Sequence, residues 1–237
     1  MPRTTKGAPA ARRDPAVHRA ATRRDPAVHR AATRRDPDGN RGRILAAALE
    51  EFARHGLGGA RVDRIAARAG ANKRMLYYYY GNKEELFLAV LESRYAHIRR
   101  AELGLHLGAL DPEEGIRRLV EFTWEYYLRH PEFLVLLNSE NLHRARHLRR
   151  SRQIAAMHSP LVATLRDLLE RGVREGKFRR GVDPVQLYIS IAGLGYFYLS
   201  NRYTLSTIFE RDLLSARSKA ERLRHMTALV LGYLEKK

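Results

Sequence analysis

The sequence predicts an all-α fold in which a three-helix N-terminal unit precedes a longer helical domain. Two observations carry this. From Asn40 onward, apolar residues recur at spacings of three and four, which puts them on single helical faces. No stretch alternates in the two-residue period of a half-buried strand.

The elements follow in order. Ile44, Leu45, Ala48, Leu49 and Phe52 share one face of a first helix, which Gly56 stops, with Gly58 and Gly59 in the connection. Val62, Ile65, Ala66 and Ala69 form a short second helix closed by Gly70. Asn72 caps a third helix that runs to Tyr80 and ends at Gly81. Asn82-Lys83-Glu84-Glu85 opens a fourth as a capping-box variant, with Leu86, Phe87, Val90 and Leu91 inward. Asp111-Pro112 starts a helix with Ile116, Leu119, Val120, Thr123 and Trp124 on one face. His130-Pro131 breaks it and starts another through Phe133, Leu136 and Leu137. Three more helices are predicted, from about Ser159 to Arg174, from Asp183-Pro184 to about Leu199, and from about Ala216 to Leu234.

Residues 1–38 read differently. Arg12–Thr22 recurs without change as Arg23–Thr33, and a third copy stops after Arg34-Arg35-Asp36-Pro37. Each copy holds a proline and almost no large apolar side chain, so it cannot build a core. The organisation expected is a flexible basic arm over 1–38, a helix-turn-helix over 39–85 and a helical domain over 86–237. The arm either touches DNA or is an inert tail.

Charge and composition narrow the function. Residues 1–83 hold 19 Lys/Arg against 7 Asp/Glu, whereas the remainder holds 25 against 19. A basic first third points to a polyanion, with nucleic acid foremost. The chain has no cysteine, which excludes disulfides, Cys-zinc sites and thiol nucleophiles. The most apolar stretch, Val185–Leu199, carries Gln186 and Ser190 and falls short of the roughly 20 residues a membrane span needs. With no apolar signal core at the N-terminus, the expectation is a cytoplasmic protein without membrane contact.

Three short helices joined by glycine turns in a basic segment fit a helix-turn-helix, whose third helix enters the major groove. That helix offers Lys73, Arg74, Tyr77, Tyr78 and Tyr79. The cations suit phosphate or guanine edges, and tyrosine hydroxyls suit phosphate. Four consecutive tyrosines turn through about 100° each, so some must be exposed. Tyr80, and Tyr79 less clearly, fit the core.

Residues 43–86 resemble the DNA-binding domain of TetR/AcrR-type bacterial regulators. The resemblance rests on Ile44, Ala47-Ala48, Phe52 and His55-Gly56, then Ile65-Ala66 and Ala69-Gly70-Ala71. Lys73, Leu76-Tyr77 and the run Tyr79-Tyr80-Gly81-Asn82-Lys83-Glu84-Glu85-Leu86 complete it. It implies phosphate contacts from Tyr77 and Lys83, and contacts to bases or nearby phosphates from Lys73, Arg74 and Tyr78. Ala60-Arg61 departs from the family, which has a capping hydroxyl there; Arg61 replaces the phosphate contact but not the cap. Asn72 for serine and Arg74-Met75 for smaller residues also depart, and they bear on operator sequence.

The C-terminal part is similar to the family more loosely, through Glu140-Asn141-Leu142-His143 and Gly195–Arg202. There the resemblance implies a ligand-binding and dimerisation domain. Val185–Leu199 is apolar nearly all round and must be covered on several sides. The last helix carries Leu223, Met226, Val230 and Tyr233/Leu234 as a seam. The two helices either pair with a second copy in a four-helix bundle or complete a monomer's core. Trp124, Tyr127, Phe133 and Tyr196 are candidate pocket walls, with Asn141 and His143 (or Asn201) as polar contacts. Each aromatic also suits plain core packing, and Gly193 and Gly195 suit close helix contact.

His143 and His147 stand at i, i+4 with Glu140 nearby, but no third ligand accompanies them among so many arginines, so no metal or other cofactor is expected. The basic run from His143 to Arg152 reads as a solvated helix face. No nucleophile elbow or phosphate-binding glycine loop is present, which speaks against an enzyme. The reading is a sequence-specific transcriptional regulator: a homodimeric repressor on a palindromic double-stranded DNA operator, released by a small-molecule effector. Its rival is a constitutive, non-specific architectural DNA-binding protein.

Overall fold

A computed structural model of the chain describes residues 37–236. The repeated arm lies outside them apart from Pro37 and Asp38, which open the first helix. Ten α-helices make up the described residues: α1 (Pro37–Gly59), α2 (Val62–Arg68), α3 (Lys73–Tyr80), α4 (Lys83–Leu103), α5 (Pro112–Arg129), α6 (Pro131–Leu142), α7 (Arg152–Arg174), α8 (Pro184–Ser200), α9 (Arg202–Ile208) and α10 (Ala216–Leu234). Among these residues there is no strand, only an isolated bridge between Phe178 and Glu235. The all-α expectation holds.

Side-chain caps set most helix starts. Asn72 Oδ1 accepts from the Met75 amide at 2.8 Å and Asn82 Oδ1 from the Glu85 amide at 2.9 Å. Asp183 Oδ1 accepts from both Val185 and Gln186 amides. Each such bond satisfies one of the orphan amides of a first turn. Arg61 precedes α2 without a side-chain cap, as its chemistry requires.

Two hydrophobic cores form. The first gathers Ile44, Phe52, Ile65, Leu76 and Tyr80 around Leu86, Phe87, Val90 and Leu91 of α4, and Leu136 of α6 joins it. The second gathers α5, α7, α8 and α10 around Trp124, Leu165, Leu168, Ile191 and Met226, and takes Ile98 from the far half of α4. The helix α4 therefore serves both cores. Its 21 residues span about 31 Å at 1.5 Å per residue.

Several boundaries depart from the expectation. The first helix begins at Pro37, before Asn40; it breaks as expected at Gly56, whose φ of 61° suits glycine, and a last helical turn then runs to Gly59. The seventh begins at Arg152, well before Ser159, because Ser151 caps it and Pro160 sits inside without ending it. The short helix α9 was not anticipated. The basic run from His143 to Arg152 is not a helix face: Arg144 and Ala145 take left-handed φ values of 54° and 57°, and the chain turns before Leu148. The fragment Val185–Leu199 is covered on one side only in the protomer, leaving Val185, Ile189 and Phe197 exposed. Gly195 does give close contact, since a Cβ there would sit 3.2 Å from the Tyr127 ring, but Gly193 faces open space.

Candidate nucleic-acid interface

The helices α2 and α3 meet through a tight turn in which Gly70 takes φ 60° and the Ala71 amide donates to the Ala66 carbonyl at 3.0 Å. Leu76 and Tyr80 bury one side of α3. The opposite side then faces outward by helical geometry, and Tyr77 and Tyr78 are 46% and 78% exposed. Tyr79 is half-buried, its ring edge-on to Tyr78 with centroids 5.2 Å apart. Lys73 and Arg74 are exposed one turn before Tyr77 and Tyr78, so each cation stands beside a tyrosine at i, i+4.

Neighbouring elements hold this helix in place. The Tyr80 hydroxyl donates to the Arg41 carbonyl at 2.9 Å, tying α3 to α1. Arg43 Nε reaches the Ala69 carbonyl. Lys73 pairs with Asp63 of α2. Lys83 Nζ donates to the Ala60 carbonyl at 3.2 Å, next to exposed Arg61. The six expected contact residues thus fall into two linked groups: Lys73, Arg74, Tyr77 and Tyr78 on α3, and Arg61 with Lys83 at the start of its neighbours. Exposed Arg41 and Arg43 were not singled out from sequence. Their signal was a basic pair on the first turns of α1.

Beneath this surface lies a buried carboxylate. Glu51 Oε1 accepts from the Arg61 amide at 2.9 Å and from Arg64 Nε at 2.7 Å. Burial works to raise the Glu51 carboxyl, but the Arg64 hydrogen bond, the Arg61 amide and the Arg64 charge outweigh it and hold it below its ordinary value. The anion thereby anchors the start of α2 and supplies what Arg61 cannot, a fixed acceptor at an uncapped N-terminus.

Residues 44–90 match the domain described as bacterial regulatory proteins, tetR family, and residues 112–230 match the tetracyclin repressor-like C-terminal domain. The chain belongs to the TetR family. The HTH-type transcriptional repressor NicS of Pseudomonas putida is 43% identical to it over 199 residues, 84% of this chain and 94% of that protein. The HTH-type transcriptional repressor SCO4008 of Streptomyces coelicolor is 41% identical over 137 residues, 57% of this chain and 68% of that protein. Among solved structures, the transcriptional regulator SCO4942 of Streptomyces coelicolor superposes with a TM-score of 0.63 at 26% identity, covering 82% of this chain and 98% of that one. This TetR-family chain is a DNA-binding transcriptional regulator, and its helix-turn-helix is the surface built from α2 and α3.

The C-terminal candidates are distributed unevenly. Trp124, Tyr127 and Phe133 are buried together in the second core, with Tyr127 and Phe133 rings 6.2 Å apart and Trp124 edge-on to Tyr198 at 5.6 Å. Burial pushes the Tyr127 phenol well above its ordinary value. Tyr196 is half-buried, its hydroxyl donating to Asn138, which also donates to Ser200. Asn141 and His143 stand apart, at the exposed end of α6, bonding the Leu137 and Ser139 carbonyls of their own helix. The structure therefore gathers three aromatics and leaves the two polar candidates outside their cluster.

Sequence reasoning missed a buried polar pair. Arg99 and Glu102, both 5% exposed, lie at the far end of α4 with Arg99 Nη2 donating to the Tyr188 hydroxyl at 2.8 Å. They line a cavity of about 110 Å³ between the last turn of α4, the turn at Leu107 and the middle of α7. A signal existed, for Glu102 continues the seam Leu91, Tyr95, Ile98 at spacings of four, three and four.

The basic run after α6 also has a definite place. Arg146 and Arg150 pair with Glu84 and Glu85 in the first turn of α4, and Ser151 Oγ donates to Glu92 at 2.6 Å. It straps the turn after α6 to the start of α4, the helix that follows α3. Among the described residues no cluster suits a metal ion and no helix is long and apolar enough to cross a membrane.

Proposed function

We propose that this TetR-family regulator is a homodimeric repressor that leaves a palindromic operator when a small molecule enters its C-terminal domain. The single observation behind operator reading is the exposed side of α3, where Lys73, Arg74, Tyr77 and Tyr78 stand clear of a core that fixes the helix rigidly. Lys73, Arg74 and Tyr78 meet base edges or adjacent phosphates; Tyr77, Lys83 and Arg61 hold phosphates. Arg41 and Arg43, at the start of α1, add phosphate contacts. The names of the NicS and SCO4008 relatives favour repression. No catalysis is assigned to it.

Dimerisation is supported by the side of α8 and α10 left bare in the protomer. Phe197 is 58% exposed, and Ile189, Val185, Leu229 and Tyr233 are exposed around it. Two adjacent helices with such faces bury them by two-fold pairing into a four-helix bundle. Two-fold symmetry then sets the recognition helices about one DNA turn apart.

Signal transmission would run along α4. Its N-terminus follows α3 and is strapped at Glu84 and Glu85; its C-terminus borders the cavity and the second core. A ligand that favours a different seating of α4 changes the spacing of the two recognition helices, by no more than its difference in affinity for the two states. The test is selection of genomic DNA fragments by the full chain, followed by footprinting with and without the substrates and products of the enzymes encoded beside the selected sites. A symmetric footprint lost on adding one metabolite supports the reading. Equal affinity for random and selected DNA overturns it in favour of an architectural role.

A further inference from the structure

The cavity at the end of α4 has a composition that plain core packing does not explain. Leu107, Met157 and Leu161 supply apolar wall, Thr164 adds a hydroxyl, and Arg99 and Glu102 supply the charges. Arg99 Nη1 lies 2.8 Å from Glu102 Oε2, yet the alignment makes no hydrogen bond. Arg99 Nε, Arg99 Nη1 and Glu102 Oε2 are all buried without a hydrogen-bond partner. The misaligned ion pair offsets the two charges only in part and Arg99 Nε has no hydrogen-bond partner at all, which leaves bonding capacity that folded proteins seldom bury unmet. A guanidinium does not give up its proton, so the fixed charge of the site is positive.

We infer that this cavity binds a small monocarboxylate, no larger than about one ring, through the Arg99 guanidinium, with Glu102 bonding the same end of the ligand. This names a ligand class for the sensor role proposed above and rests on that reading for its regulatory meaning. A guanidinium fork matches a carboxylate in two parallel bonds, and a charge-assisted bond is about twice as strong as a neutral one. Size follows from volume: an apolar cavity of about 150 Å³ takes benzene. This one is smaller but opens past Leu103 and Gly108, which leaves room for a ring that reaches toward solvent. Burial pushes the Glu102 carboxyl up to about 7 despite the pull of Arg99, so near neutrality its protonated form can donate a hydrogen bond to the bound anion. The other titratable groups around it are His106, which lines the cavity, and the phenols of Tyr126, Tyr127 and Tyr188, which burial raises so that they add no negative charge at that pH.

Calorimetry on the full chain with butyrate and benzoate, and with butyramide and benzamide, tests this. One of the carboxylates binds with one site per chain, and its amide binds at least about tenfold more weakly. Arg99→Met weakens the carboxylate by at least about tenfold. Because that change strands Glu102, two further variants keep the result readable. Arg99→Met/Glu102→Gln removes both charges, and Thr164→Trp fills the space while leaving the pair in place; both lose binding yet melt cooperatively. Absence of binding by either carboxylate shows a cavity that holds water only and overturns the inference, as does binding that survives Thr164→Trp. Operator affinity is read separately. If the carboxylate binds as described and the operator stays bound, the site stands and the release reading falls. If another molecule releases the operator and neither carboxylate binds, this inference alone falls.

Discussion

His147 Nδ1 lies 2.6 Å from Glu140 Oε2, with both side chains closed off from solvent. The other carboxylate oxygen of Glu140 accepts the His147 and Leu148 amides, each at 2.9 Å. One side chain from α6 thus closes the turn whose arginines return to the start of α4. Glu140→Ala removes three acceptor contacts at once from a buried turn. It is expected to cost about 3 kcal/mol in denaturant titration, because breaking a buried pair leaves its partners unsatisfied. Glu140→Gln, which keeps an acceptor for the amides, costs less. Equal losses in the two variants would show that the amide contacts do not matter.

Lys83 and Arg74 are expected to separate affinity from discrimination. Lys83→Ala weakens operator and random DNA alike and lowers the salt slope by about one. Arg74→Ala narrows the preference for operator by about 1–3 kcal/mol if its guanidinium is bidentate to guanine. Binding titrations across several salt concentrations decide this. A change of preference in Lys83→Ala, with none in Arg74→Ala, reverses the roles.

Glu102 gives the fold a pH dependence of defined sign. Its carboxyl stands at about 7 in the fold against an ordinary value of 4.5, chiefly from burial. Between those values the folded state binds more protons than the unfolded one, so this group makes stability fall as pH rises through that window. Denaturant midpoints measured from pH 4.5 to 7 in wild type and Glu102→Gln should diverge accordingly. The neutral variant loses that share of the slope, and parallel curves would place the Glu102 titration elsewhere.

The bare side of α8 predicts the behaviour of a charge placed in it. Phe197→Glu puts a carboxylate where two copies would meet, and burying it unpaired is prohibitive. The variant is expected to sediment as a monomer, melt cooperatively and lose operator affinity at least about tenfold, since one half-site remains. A variant that stays dimeric would move the interface away from α8.

Much of the DNA-binding half was legible in the sequence because local chemistry decides it. Asn72 and Asn82 cap helices within three residues of themselves, and Tyr77 and Tyr78 are exposed because Leu76 and Tyr80 claim the inner positions. What escaped notice depends on distant partners. The run after His143 looked like a solvated helix since the partners of Arg146 and Arg150, Glu84 and Glu85, stand 62 and 65 residues earlier. The inward turn of Arg99 depends in the same way on Tyr188, 89 residues later. The helix expected from about Ser159 begins instead at Arg152, where the Ser151 cap sets it, and Pro160 is carried inside.

An uninterrupted α4 constrains how this protein can exchange parts with its kin. Recombination that joins one chain's first 90 residues to another's remainder cuts through a helix whose two halves were selected against different neighbours. Leu86, Phe87 and Val90 would keep their old company, whereas Leu91 and Leu136 would bring another chain's packing into the first core. A crossover beyond Leu103, at Gly104 or in the turn after it, only moves the mismatch, since Ile98 and Arg99 then face another chain's second core. New pairings of operator and signal should therefore arise more readily by point substitution on α3 and around the cavity than by shuffling whole segments.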